Sequence, residues 1–197
     1  MVDPVDGGTT QTTLAQTNST RVTEGLGCAN TKTMFNNEMS FYRVFELADH
    51  DIANPFRVTS ASFGVYRTVA GGGAGSQEAE LRIYDYLGPV GEDTLNFSQF
   101  VQLTSTTFSI PDLDRSTVDV EIAADIDADS ETFAVELFVP SGINNMNEFL
   151  VGANLQGERA PAYYRAPRCD YPEPTSLEVV DFPRDDYVAI LSVNGEH

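Results

Sequence analysis

This chain predicts an all-β fold, two antiparallel sheets packed as a jelly-roll-like sandwich of about eight strands. Three observations carry that reading. Apolar and polar side chains alternate through segment after segment, no amphipathic helix longer than a turn or two interrupts them, and Gly- or Pro-containing turns separate them. The only two cysteines, Cys28 and Cys169, enclose most of these segments.

Residues 1–26 hold Gly7-Gly8, six threonines within the first twenty positions and almost no large apolar side chain. Too little surface is available there to offset ordering entropy, so the segment is expected to be a flexible linker or an arm that donates a strand. The sandwich domain is assigned to residues 27–197. Its first strong strand runs from Met39, where Met39, Phe41, Arg43, Phe45 and Leu47 alternate with Ser40, Tyr42, Val44 and Glu46. Arg43 stands alone among apolar neighbours and requires a carboxylate partner if buried.

Asn54-Pro55 breaks the chain before a long strand at Phe56 to Arg67. Gly71-Gly72-Gly73-Ala74-Gly75-Ser76 then leads to the alternation Ala79, Leu81, Ile83, and these two strands read as a hairpin with a loose tip. A strand from Phe100 to Ser109 turns at Pro111-Asp112 into Val118, Val120 and Ile122. The acidic stretch from Asp125 to Glu131 continues into Phe133, Val135, Leu137 and Val139, which reads as a second hairpin. Phe149 to Gly152 is a short strand, Pro161 to Pro167 an irregular or edge-like segment, and Tyr187 to Val193 a closing apolar run.

The composition excludes several functions. A net charge of −19, from 30 acidic residues against ten Arg and Lys32, lacks the basic footprint needed for nucleic acid or anionic lipid. Such a charge fits a saline setting or a calcium-binding surface. No apolar run approaches the ~18 residues that span a bilayer, so membrane insertion is not expected. No basic-then-apolar leader follows Met1, as in a mature or excised segment. Two cysteines in an extracellular β-domain point to one disulfide, whereas cytosolic cysteines are more often free thiols. A Cys28–Cys169 bridge would close a loop of about 140 residues and contribute roughly 5 kcal/mol in the chain-entropy model.

The stretch Asn36-Asn37-Glu38-Met39-Ser40-Phe41-Tyr42-Arg43-Val44-Phe45-Glu46-Leu47-Ala48-Asp49, followed by Phe56-Arg57-Val58-Thr59-Ser60-Ala61-Ser62-Phe63-Gly64-Val65, resembles an accessory β-sandwich domain of large secreted or surface-exposed bacterial proteins. Ile83-Tyr84, Val151-Gly152-Ala153-Asn154, Pro161-Ala162-Tyr163-Tyr164-Arg165-Ala166-Pro167 and Val193-Asn194-Gly195 extend the likeness over roughly residues 28 to 195. The resemblance implies an extracellular or cell-surface, non-catalytic unit with a jelly-roll-like fold, in the company of adhesion and carbohydrate-binding modules. It supplies no ligand and no catalytic residues.

Asp125, Asp127, Asp129 and Glu131 alternate at the spacing by which calcium loops present oxygen ligands. Ser130 stands where an EF-hand loop needs its sixth-position Gly, so the stretch is not that motif, and a solvated acidic turn is the plainer account. Asp49 and Asp51 form a second candidate calcium pair, with His50 between them. Zinc has too few nitrogen and sulfur ligands here. For glycans or a cell-surface polymer, the candidates are Tyr163, Tyr164, Arg165 and Asn154, as stacking and hydrogen-bonding groups; the plainer account is that the tyrosines cover the sandwich end. No nucleophile elbow is present and histidines are scarce, so no enzyme is expected. A structural subunit, polymerised through copies of itself by strand donation from the 1–26 arm, is the alternative.

Overall fold

The computed structural model describes residues 9–52, 55–127, 129–184 and 186–197. It is an all-β sandwich of two antiparallel sheets. Among the described residues there are thirteen strands rather than eight: β1 (Gln11–Ala15), β2 (Glu24–Leu26), β3 (Met39–Glu46), β4 (Phe56–Val69), β5 (Ser76–Tyr86), β6 (Phe100–Pro111), β7 (Leu113–Ile126), β8 (Thr132–Val139), β9 (Glu148–Asn154), β10 (Ala162–Ala166), β11 (Tyr171–Ser176), β12 (Val188–Ala189) and β13 (Leu191–Glu196). Sheet A has the order β1-β13-β4-β9-β12, with β7 on β4 and β2 on β9. Sheet B has the order β11-β10-β3-β8-β5-β6.

The inner faces carry the alternating sets seen in the sequence. Met39, Phe41 and Phe45 of β3 meet Phe56, Val58 and Phe63 of β4 and Phe133, Val135 and Leu137 of β8 in one buried core. Burial of these side chains, each about 1.5–3 kcal/mol, is what holds the two sheets face to face. Arg43 lies on this inner face, fully buried. It meets the expected carboxylate in Glu158 at 2.6 Å and donates to the carbonyls of Ala160 (2.8 Å) and Ala189 (2.6 Å).

Several expectations are corrected. The two expected hairpins are absent, because β4 and β5 lie in different sheets, as do β7 and β8. Each of those turns arches from one sheet to the other; β5 and β6, by contrast, are consecutive strands paired along their length. The described part of the 1–26 arm is not left as a flexible linker: β1 pairs with β13 and β2 with β9 of the same chain, burying Leu14 and Leu26. Residues 1–8 lie outside the described part. The segment expected to be irregular, 161–167, contains β10, which is paired on both sides by β3 and β11. The closing apolar run divides at Ile190, whose N–H donates to Gly152 O and whose carbonyl accepts from Gly64 N, both at 3.0 Å. Gly64 and Gly152 are required at that crossing, since a Cβ on Gly152 would sit 2.7 Å from the Gly64 carbonyl carbon.

Cys28 and Cys169 are joined in a disulfide across a sequence separation of 141 residues, as the composition foretold. It ties the segment entering β3 to the end of β10. No helix among the described residues is long and apolar enough to cross a membrane.

Candidate functional site

Strand alternation sends Tyr163 and Tyr164 to opposite faces of sheet B, and both faces are covered. Tyr164 faces the core, with Phe41 at 5.0 Å and Phe182 at 5.3 Å between ring centres. Tyr163 faces outward but belongs to a second small core with Tyr42, Val44, Tyr84, Tyr86 and Leu95, roofed by the segment between β5 and β6. That roof is fixed by backbone bonds from Leu95 N to Pro174 O and from Ser176 N to Asp93 O, each 2.8 Å. Exposures of 0% and 1% therefore remove both tyrosines from any open sugar platform, correcting the expectation that they would be exposed. Asn154 is equally buried: its Nδ2 donates to Ser19 O (2.7 Å) and Thr17 Oγ1 (3.2 Å), pinning the segment before β2. Of the four candidate ligand residues, Arg165 alone reaches the surface.

Arg165 opens onto a constellation that sequence reasoning did not find. Cross-strand registers place Arg165, Ser40, Phe138, Glu80 and Thr107 in one row across β10, β3, β8, β5 and β6, and Tyr163, Tyr42, Glu136, Arg82 and Ser105 in the next. With strands about 4.8 Å apart, each row runs some ~19 Å over the outer face of sheet B. Glu136 is buried at its centre. One carboxylate oxygen accepts from Ser40 Oγ (2.5 Å) and Tyr42 OH (2.8 Å), the other from Tyr84 OH (2.5 Å) and Arg82 (3.4 Å). All the charge-assisted bonds a buried carboxylate needs are thus supplied by neighbouring strands.

Around this centre the surface alternates aromatic planes with guanidinium groups. The Arg82 guanidinium lies 4.1 Å above the Phe138 ring and pairs with Glu80 at 2.6 Å. Phe97, 44% exposed, stacks on Phe100 at 5.7 Å, and Phe100 packs against Tyr42, Tyr84 and Tyr86. Arg165 stands 5.6 Å from the Phe97 ring, 3.5 Å from the Glu38 carboxylate, and donates Nε–H to Pro172 O at 2.8 Å. Burial opposes the Arg82 charge, yet its bond to Glu80 and the field of Glu136 outweigh it and raise its pKa. The same bond holds the Glu80 carboxyl below its ordinary value. Burial, reinforced by Glu136, pushes the Tyr42 and Tyr84 hydroxyls upward, and burial lifts Tyr163 to about 12. The patch therefore keeps fixed charges and intact phenols across the neutral range.

The acidic candidates do not converge. Among the described residues, no group of three or more His, Cys, Asp or Glu side chains is placed to hold a metal ion. Asp125, the penultimate residue of β7, lies 3.7 Å from Arg57 on the neighbouring strand. The Asp127 carbonyl accepts from Ser130 N at 2.9 Å, closing the turn that contains Asp129, while the Glu131 carbonyl accepts from Leu47 N at 3.0 Å. Ala128, inside this stretch, lies outside the described residues. Asp49 sits in a short 3-10 turn, Leu47–His50, and Asp51 caps it in the left-handed region at φ 58°. His50 between them packs against Phe45, and burial, opposed by Asp49, lowers its pKa.

With this geometry established, the chain's likenesses concern the fold. A clostridial cysteine protease, a point variant of Cwp84 after propeptide cleavage, superposes with a TM-score of 0.52. The identity is 10%, over 94% of this chain and 40% of the other. A second structure, the cysteine protease and lectin-like domains of Cwp84, a surface layer associated protein of Clostridium difficile, gives a TM-score of 0.47 at 12% identity, over 82% and 33% of the two chains. The chain thus spans well under half the length of either. No protein-family model and no curated protein matches it.

Proposed function

We propose that this domain is an extracellular, non-catalytic recognition module that binds a neutral, hydroxyl-rich glycan or cell-surface polymer on the outer face of sheet B. The observation that carries the proposal is the pairing of the exposed Phe97 ring with Arg165 and Glu38 at one end of a row that continues through Phe138 and Glu80, both contacted by Arg82 from the neighbouring row. An aromatic plane offers a stacking surface for a pyranose ring, and fixed guanidinium and carboxylate groups beside it donate to and accept from sugar hydroxyls. The polar groups are held by neighbours before a ligand arrives, which lowers the ordering cost of binding. A net charge of −19 disfavours polyanions, so a neutral glycan is the better match. The Cys28–Cys169 disulfide supports an oxidising, extracellular setting.

The test is retention on neutral polysaccharides by glycan array or pull-down. Phe97→Ala and Arg165→Ala should each weaken binding at least tenfold while leaving the far-UV circular dichroism unchanged. Val179→Ala, an exposed apolar control outside both rows, should bind like the parent. Retention unaffected by both site variants would overturn the placement of the site, and absence of retention on any glycan would overturn the ligand class.

A further inference from the structure

Sheet edges are templates for adding another strand, and folded proteins protect them with short length, proline or charge. The edges of this sandwich follow that rule with one exception. β1, β2 and β12 are five, three and two residues long. β11 carries Pro172 and Pro174, which remove two backbone donors. β7, fourteen residues long, displays Asp114, Arg115, Asp119, Glu121 and Asp125 along its length. β6 is twelve residues long, holds no charged residue, and has its one proline at the last position. Among the described residues it pairs with β5 alone, so its other edge is open. Val101 and Leu103 are exposed on it.

We infer that the open edge of β6 pairs antiparallel with β6 of a second copy of this chain, joining two B sheets into one continuous sheet. Charge argues for that occupant. Two molecules of net charge −19 repel over most of their surfaces, and β7 set against β7 would align carboxylates directly. The Phe100–Pro111 strand is the long edge on which that local repulsion vanishes. A two-fold axis perpendicular to the sheet and passing midway between the two copies of Thr106 keeps inward residues facing inward in both copies, setting Thr104 against Phe108 and Ser105 against Thr107 of the second copy. Edge pairing of this size buries less than the roughly 1,000 Å² expected of a stable interface. Association is therefore weak, and it strengthens with ionic strength as the long-range repulsion is screened.

Residues on a two-fold axis face themselves, which supplies a specific test. Both native cysteines are in the disulfide, so Thr106→Cys introduces the sole free thiol, and paired antiparallel strands bring the two Cα atoms to roughly 4.5–5.5 Å, within disulfide reach. Oxidation of Thr106→Cys at high protein concentration and 0.5 M salt, about three times physiological ionic strength, should give a covalent dimer in majority yield. Thr117→Cys on β7 should remain at least fivefold less cross-linked. Sedimentation of the parent chain should show a mass rising from 21.5 kDa toward twice that value with concentration and salt, and Ser105→Glu/Thr107→Glu should abolish the rise. Equal cross-linking at both positions, or a parent that stays monomeric under all these conditions, would overturn the inference.

Discussion

Replacing Arg43 by Met tests how the two sheets are joined at their buried polar contact. The guanidinium is 0% exposed, carries the Glu158 carboxylate at 2.6 Å, and serves two carbonyls, Ala160 on the segment leading into β10 and Ala189 on β12. Removing one member of a buried pair leaves the other charge uncompensated, a loss of about 3–5 kcal/mol. The two orphaned carbonyls fall within that range because the costs are not additive. For a chain of this length the melting temperature should fall by about 6–20 °C, read by far-UV circular dichroism, and urea unfolding followed by tyrosine fluorescence should give the free energy. Burial raises the Glu158 pKa and Arg43 pulls it back. An acid raised in the native state binds its proton more readily folded than unfolded, so its contribution to stability falls as pH rises through the interval between the two values. Without Arg43 that interval widens, and the deficit of Arg43→Met should be smaller near pH 4.5, close to the ordinary carboxylate value, than near pH 7, about 2.5 units above it. Adding Glu158→Gln should recover part of the loss at pH 7. A deficit below about 1 kcal/mol, of the size of an exposed pair, or a double variant as unstable as the single one, would refute the reasoning.

Further outcomes follow from the same structure. Reducing the disulfide, or replacing Cys28 and Cys169 by Ser, should lower stability by about 2–5 kcal/mol, seen as a depressed melting temperature with the sheets retained. Gly152→Ala should be destabilising by about 1–3 kcal/mol through overpacking against Gly64, whereas Gly72→Ala, at a positive φ with open space around it, should cost less than Gly152→Ala. Burial keeps the Tyr42, Tyr84, Tyr163 and Tyr164 hydroxyls protonated beyond their ordinary value. Because the folded chain then holds protons the unfolded chain has lost, stability should fall as pH rises above about 10, and absorbance at the phenolate band should rise together with unfolding rather than before it. Calcium and magnesium at equal ionic strength should shift the melting temperature equally if Asp125, Asp127, Asp129 and Glu131 act only as solvated charge; a calcium-specific rise would show a bound ion.

The inner faces were legible because period-two alternation is written locally: Met39, Phe41, Arg43 and Phe45 announce both a buried face and a buried ion pair. What alternation cannot encode is the partner. The turns after β4 and β7 look like hairpin turns, yet each carries the chain across the sandwich, because β8 already has β3 and β5 on its two sides. β1 and β2 escaped notice since strands of five and three residues present one or two inward side chains, Leu14 and Leu26, too few to show a period. Tyr163 and Glu136 were illegible for a different reason. Parity correctly sends both outward, and a remote segment bearing Leu95 and Phe100 then closes over that part of the face. Phe97 itself had no local signal, lying in a short turn whose position is set by stacking on Phe100 and by Arg165 from another strand.

The proposed glycan face and the proposed β6 contact belong to the same sheet, and this constrains how they act together. The rows that begin at Arg165 and Tyr163 end on β6 at Thr107 and Ser105. A two-fold axis perpendicular to the sheet, midway between the paired Thr106 residues, leaves both outer faces pointing the same way, so two Phe97–Arg165 patches would meet one polymer surface from the same side. Weak single-site binding to a repeating polymer then gains from effective concentration, by about 10²–10⁴ when both sites reach the same chain. The cross-linked Thr106→Cys dimer should therefore be retained on an immobilised polysaccharide far longer than its reduced form, while the affinity of both for a short oligosaccharide stays equal. Equal retention of the two forms would separate the functions, leaving the edge contact without a part in recognition.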